Sequence, residues 1–182
     1  MSIDNPGRFF SAGDFDDDEE NKLQPSYIYG KELFKKATDI LNITSTITDL
    51  LPEEPEEKVS TIALMLENAH KIRAKIRGAM VMDLYSLKME NAVIIKVNVM
   101  ELNAQIWVCE EEHGIEKKYT EILRDEIVAF KELFIQWIKS FDKTNDLPDD
   151  WHLFNDPSTF PQDDEPFDPK KYLDNFDPDE DE

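Results

Sequence analysis

Only one cysteine, Cys109, occurs among the 182 residues. That excludes an intramolecular disulfide and points to a reducing compartment. Histidine is nearly as scarce, at three, and nothing resembles a zinc-binding cysteine or histidine pair. Gly-rich phosphate loops and nucleophile elbows are also missing. Glycine is so rare that residues 56–113 contain only Gly78, and they contain no proline. The first ten residues lack a positive segment followed by an apolar run, so no secretory signal is expected. The most apolar window, residues 92–102, is broken by Lys96, Asn98 and Glu101, which argues against a membrane span. A cytoplasmic protein is expected.

Bases are outnumbered, 20 against 41 acids, for a formal net charge of −21. The excess sits in the ends. Residues 1–26 hold seven acids and two bases, and residues 142–182 hold fifteen acids and three bases, which leaves −4 for the body between them. Acidic tails cannot displace counterions from a phosphate backbone. They suit solubility or docking on a basic surface. Residues 1–26 are turn-rich and read as a disordered acidic tail, and residues 142–182 as an acidic, aromatic, Pro-rich tail.

The body, 27–141, reads as helix throughout. Ser26, after Pro25, is placed to cap a helix over 27–51 with apolar face Leu33, Ala37, Ile40, Ile47 and Leu51. Thr44, Thr46 and Thr48 weaken its intrinsic propensity, so it should depend on packing. A second helix starts at Glu56 with stripe Val59, Ile62, Leu66, Ala69, Ile72, Ile76 and Met80, and Gly78 is the natural break, with 79–83 as a tight connection. A third, 84–113, carries two stripes. One is Tyr85, Ala92, Ile95, Val99, Leu102, Ile106 and Cys109. The other is Val93, Val97, Met100, Ala104 and Trp107, with Asn91, Asn98, Glu101 and Gln105 on the opposite edge. A helix apolar on two sides is either the central helix of a bundle or one that meets another subunit. Gly114 should close it in a left-handed turn. The fourth, 116–141, places Tyr119, Ile122, Leu123, Ile127, Phe130, Leu133, Phe134, Trp137, Ile138 and Phe141 on one face. Four such helices with short links predict an all-α, antiparallel, up-and-down four-helix bundle.

Two Glu-x-x-His pairs, Glu67/His70 and Glu110/His113, have the spacing with which bundles hold metal pairs. If the chain reverses near residue 81, residue 67 is level with residue 95, and Glu110 lies about 15 residues beyond, on the order of 22 Å at 1.5 Å per residue. The two pairs then cannot share an ion, so no metal and no cofactor is expected. Cys109 falls on an apolar stripe, as a buried structural thiol does. No catalytic residue is expected. Lys71, Arg73, Lys75 and Arg77 form the one dense basic cluster. It reads either as a patch for RNA, DNA or another anion, gated by the acidic tails, or as a solvated face paired with neighbouring carboxylates.

The C-terminal tail repeats aromatic-acid-proline units: Phe154-Asn155-Asp156-Pro157, Phe167-Asp168-Pro169 and Phe176-Asp177-Pro178, with Trp151, Phe160 and Tyr172 between them. Phe9, Phe10 and Phe15 echo this beside the N-terminal acids. Bulky rings in an acidic tail suit docking into a basic or apolar groove of a partner, the rings anchoring and the charge steering. Packing of Trp151 and Phe154 on the bundle itself is the alternative.

Leu50-Leu51-Pro52-Glu53-Glu54 at the end of the first helix, Ile72-Arg73-Ala74-Lys75-Ile76-Arg77-Gly78-Ala79 in the second, Met100-Glu101-Leu102-Asn103-Ala104-Gln105 in the third, and the close at His113-Gly114-Ile115 together resemble a known family. It is the four-helix-bundle family that includes ribosomal-RNA intervening-sequence proteins and the accessory protein of diversity-generating retroelements. The resemblance spans residues 30–141 and implies a non-enzymatic bundle that self-associates and binds a partner. The expectation is therefore a bacterial, intracellular interaction protein that is homo-oligomeric through Val93, Val97, Met100, Ala104 and Trp107.

Overall fold

The computed structural model describes residues 24–51, 56–147, 151, 153 and 154, with the side chains of 56–59 left aside. Four helices follow in order: α1 (Pro25–Asp49), α2 (Glu56–Met80), α3 (Tyr85–Glu111) and α4 (Lys117–Lys139). No strand occurs among the described residues. Each helix packs on its neighbours in a ring, α4 to α1 to α2 to α3, and the α3–α4 seam that closes the ring is the sparsest. Lys36 meets Glu126 while Ser26 meets Trp137, and Asn68 meets Gln105 while Thr61 meets His113, so α1 runs antiparallel to α4 and α2 to α3.

The faces of α1 and α4 follow their periodicity. Leu33, Ala37, Ile40, Ile47 and Leu51 are buried against Leu123, Ile127, Phe130, Phe134, Trp137 and Phe141. Phe130, Phe134, Trp137 and Phe141 run ring to ring along α4, ending in an edge-on contact of 4.8 Å. Tyr119 and Ile122, expected on that face, are exposed, because the buried row begins with Thr120 and Leu123 and the two lie to one side of it. In α2 the buried row is Met65, Ala69, Ile72, Ile76 and Ala79.

Several boundaries differ from expectation. Ser26 is not a cap. It lies inside α1, where its carbonyl accepts from Trp137 Nε1 at 3.0 Å and its hydroxyl meets Lys88 Nζ at 3.3 Å. Gln24 holds the N-cap position without a side-chain bond. Gly78 does not break α2, which continues to Met80. Gly114 does adopt the expected left-handed backbone, φ 69°, and the N–H of Ile115 returns to the carbonyl of Cys109.

The chain divides into two compact units, one ending at Asp146 and one beginning at Leu147. Residues 142–146, assigned above to the tail, thus belong to the helical unit. They are pinned to the start of α3: Tyr85 N–H donates to the Asn145 carbonyl at 2.8 Å, and Ser86 donates to Asp146 from both its hydroxyl and its N–H. Lys88 is buried beneath this segment, 5.7 Å from the Phe141 ring centroid. Burial lowers its pKa, while Asp83 and Asp142 oppose the shift. Of the tail anchors, Trp151 is exposed and Phe154 half-buried. Phe160, Phe167, Tyr172 and Phe176 lie outside the described residues, as does most of the N-terminal tail.

Two helical glycines make opposite predictions for the same substitution. A Cβ at Gly30 would come within 2.8 Å of Met80 Cγ and 3.2 Å of Trp137 Nε1, whereas at Gly78 it would meet nothing within 4 Å. Helix propensity favours alanine by about 0.5–1 kcal/mol at either site, while forced overpacking costs about 1–3 kcal/mol. Urea denaturation should therefore show Gly78→Ala raising stability by about 0.5 kcal/mol and Gly30→Ala lowering it by about 1 kcal/mol.

Candidate functional site

With apolar residues on two sides, α3 can enter the bundle in more than one rotation. The row Ala92, Ile95, Leu102, Ile106 and Cys109 is buried, with Tyr85 and Val99 half-buried beside it. The other row faces out: Val93 is 45%, Val97 46%, Met100 62% and Trp107 56% exposed, and Ala104 is exposed with them. Asn91 and Asn98, expected on the outer edge, are instead buried. The reason is local. Asn91 donates to the Leu87 carbonyl and Asn98 to the Ile94 carbonyl, each at 2.8 Å, so both amides are served by their own helix and can enter the core cheaply. Gln105 accepts from Asn68 of α2 at 3.2 Å, adding a polar line to the α2–α3 seam.

Beside the outward row lies a trough of about 550 Å³ between α3 and α4. Val99, Ile127, Phe130 and Phe134 form its buried or half-buried floor. Lys96, Met100 and Asn103 stand on the α3 side, and Arg124, Val128, Lys131 and Ile135 on the α4 side. Val128 and Ile135 are exposed, as is Met100, which belongs to both trough and row. The two features therefore form one continuous apolar surface, larger in kind than scattered exposed side chains.

One end of the trough is closed by Glu110. Its side chain is 4% exposed and accepts from Arg124 and from the Thr120 hydroxyl, with the second Arg124 nitrogen 2.9 Å from its other oxygen. The hydrogen bonds from Arg124 and then from Thr120 hold its carboxyl down to about 2. Next to it Cys109 is fully buried with its sulfur 3.4 Å from Met65, and burial, helped by the Glu110 charge, raises the thiol to about 11. A thiol so placed is a poor nucleophile.

The height argument about the two Glu-x-x-His pairs fails in its premise. Asn68 lies level with Gln105, and Thr61 with His113 at 3.2 Å, so α2 and α3 are staggered well away from the register a reversal at residue 81 would give. The four residues are nonetheless otherwise engaged or apart. Glu67 pairs with Lys71 at 2.6 Å, His70 is exposed, Glu110 is taken by Arg124, and His113 contacts Thr61. Among the described residues no three His, Cys, Asp or Glu side chains gather as a metal site.

The basic cluster of α2 is not one face. Residues two apart point away from each other on a helix, so Arg73 and Arg77 separate from Lys71 and Lys75. The arginines border a second pocket, of about 560 Å³, with Phe34 and His70, and the Arg73 guanidinium lies 4.9 Å from the Phe34 ring centroid. Lys71 is on the other side with Glu67.

By length and composition α3 is also apolar enough to cross a membrane, with a mean hydropathy of 1.3 over its best window, despite Lys96, Asn98 and Glu101. In the bundle a third of that window is buried. Comparison with family models, with curated proteins and with solved structures finds no match to this chain.

The Glu110 bridge predicts a pH dependence. A carboxyl that titrates near 4.5 when unfolded and near 2 when folded contributes stability fully above pH 4.5, and loses it as pH falls toward 2. Glu110→Gln should be destabilised at neutral pH by roughly 1–3 kcal/mol, the range for a buried group that loses its partner. Urea midpoints of wild type and variant should converge between pH 4.5 and pH 2. A constant gap across that window would show that the bridge does not titrate as described.

Proposed function

We propose that this chain is a cytoplasmic, non-enzymatic interaction module that self-associates through the outward face of α3 and docks a further protein through its acid-aromatic tails. The observation that carries the reading is the outward row Val93, Val97, Met100 and Trp107, continuous with the α3–α4 trough. Burying side chains of this size is worth about 1.5–3 kcal/mol each, and the monomer leaves about half of that burial ungained. The row itself carries no charge, and interface cores are depleted in charge.

Two further observations favour interaction over chemistry. Cys109 is buried with a raised pKa, and the side chains of the Glu-x-x-His pairs are held in other contacts or stand apart. Splitting of the α2 cations into two faces removes the continuous ladder that a phosphate backbone would need, which lowers the nucleic-acid reading. The Phe-Asp-Pro units of the tail supply rings and charge of one sign, suited to a basic or apolar groove on the docked protein.

Light scattering on the full chain tests the self-association. The wild type should exceed the 21.2 kDa monomer mass, and Val97→Lys with Met100→Lys should return it to monomer with unchanged helical circular dichroism. A wild type that stays monomeric at its highest soluble concentration removes the reading. Deletion of residues 151–182 should leave the oligomer intact while abolishing capture of the docked protein.

A further inference from the structure

Across the outward face of α3 and α4 the side chains fall in parallel rows of differing character. Glu90, Ile94, Val97 and Glu101 are spaced four, three and four apart, so they share one edge of α3. Val93, Met100 and Trp107, at spacings of seven, form the next row and stand up as a ridge, each more than two-fifths exposed. Lys96 and Asn103, again seven apart, descend into the trough. Beyond its apolar floor rises the α4 wall, where Val128, Lys131 and Ile135 stand exposed at spacings of three and four. The order is an edge bearing Glu90 and Glu101, an apolar ridge, a trough with an apolar floor, and a wall bearing Lys131.

A ridge beside a trough is a self-complementary shape. A half-turn about an axis running along the helices lays the ridge of one copy in the trough of the other, and does so twice. The same rotation carries the acid edge of each α3 to the α4 wall of the other copy, so that acids meet lysine. No other arrangement of the four rows is needed, because both halves of the contact lie on one patch, as a two-fold interface requires. Lys96 and Lys131 make no ion pair with a described residue, and neither do Glu90 and Glu101. Among the described residues, the charges that would face each other across the contact are therefore not already spent.

We infer that the trough between α3 and α4 is filled by the α3 ridge of a second copy, in a closed two-fold dimer whose charge register pairs Glu101 of each chain with Lys131 of the other. This rests on the self-association reading and adds its partner, symmetry and register. The trough selects the chain itself because the apolar ridge and the flanking acids that it needs stand immediately beside it. Glu110 with Arg124 beyond one end of the trough, and Asp146 with Ser86 beyond the other, tie α3 in place within the monomer.

Sedimentation or light scattering over a dilution series reads the dimer dissociation constant. Lys131→Glu and Glu101→Lys should each weaken it by about tenfold or more, since each sets like charges face to face. The double variant should recover most of the loss. Both positions are solvent-exposed, and circular dichroism confirms that the fold is kept. A wild-type dimer that neither single variant shifts forms through another face, which overturns this inference and leaves self-association standing. Two weakened singles without recovery in the double overturn the Glu101–Lys131 register, and with it the two-fold described. Higher oligomers or fibres overturn the closed symmetry, and a monomeric wild type overturns both this inference and the reading beneath it.

Discussion

The structure depends on how α3 is tied to the end of the chain's helical unit. At one end Glu110 is gripped by Arg124 and Thr120, and at the other Tyr85 and Ser86 are bonded to Asn145 and Asp146. Between these two pins the α3–α4 seam is the sparsest in the ring, and the trough runs along it. Polar ties have a fixed length and direction, whereas apolar packing would draw the helices together until the side chains met. The two pins fix how α3 and α4 stand at either end of the trough.

The same ties decide which side of α3 looks outward. Two apolar rows compete for the core, and the one from Tyr85 to Cys109 is the longer, seven residues against five. Glu110 favours the same rotation, because a charged side chain that is only 4% exposed needs Arg124 on α4. That rotation carries Ile95, Leu102 and Ile106 inward and turns Val97, Met100 and Trp107 to solvent. It also carries Asn91 and Asn98 into the α2 side, where their bonds to Leu87 and Ile94 carbonyls remove the usual cost of a buried amide. An apolar row outside and asparagines inside are two results of one rotation.

Much of this was legible in the sequence and part of it was not, for physical reasons. The faces of α1 and α4 could be read because each has a single apolar stripe, so periodicity and burial coincide. The close at Gly114 could be read because one backbone conformation there favours glycine. On α3 periodicity located both rows, including Val93, Val97, Met100, Ala104 and Trp107, but could not show which one the core takes. The pairing of Glu110 with Arg124, fourteen residues apart across a turn, leaves no local spacing to recognise. The stagger of α2 against α3 could not be read because the pairs that report it, Asn68 with Gln105 and Thr61 with His113, lie 37 and 52 residues apart and leave no local spacing. The α4 wall of the trough, Val128, Lys131 and Ile135, had no signal of its own, since its role arises only from the gap opposite.

The distribution of charge fits a contact decided by this face. Most of the −21 formal charge belongs to the termini, and the body between residues 27 and 141 carries only −4. Repulsion between distant charges is screened beyond about 8 Å at physiological salt, so the charge of the termini opposes association only where it comes within that distance. Charges within the contact are a different matter, since they act at short range with water partly removed. There the rows carry both signs, with Glu90 and Glu101 at one margin and Lys131 at the other. A strongly acidic protein can therefore present a locally balanced apolar surface. Because α3 is tied by hydrogen bonds within the monomer, its backbone would lose little ordering entropy if a second copy covered that surface, as proposed.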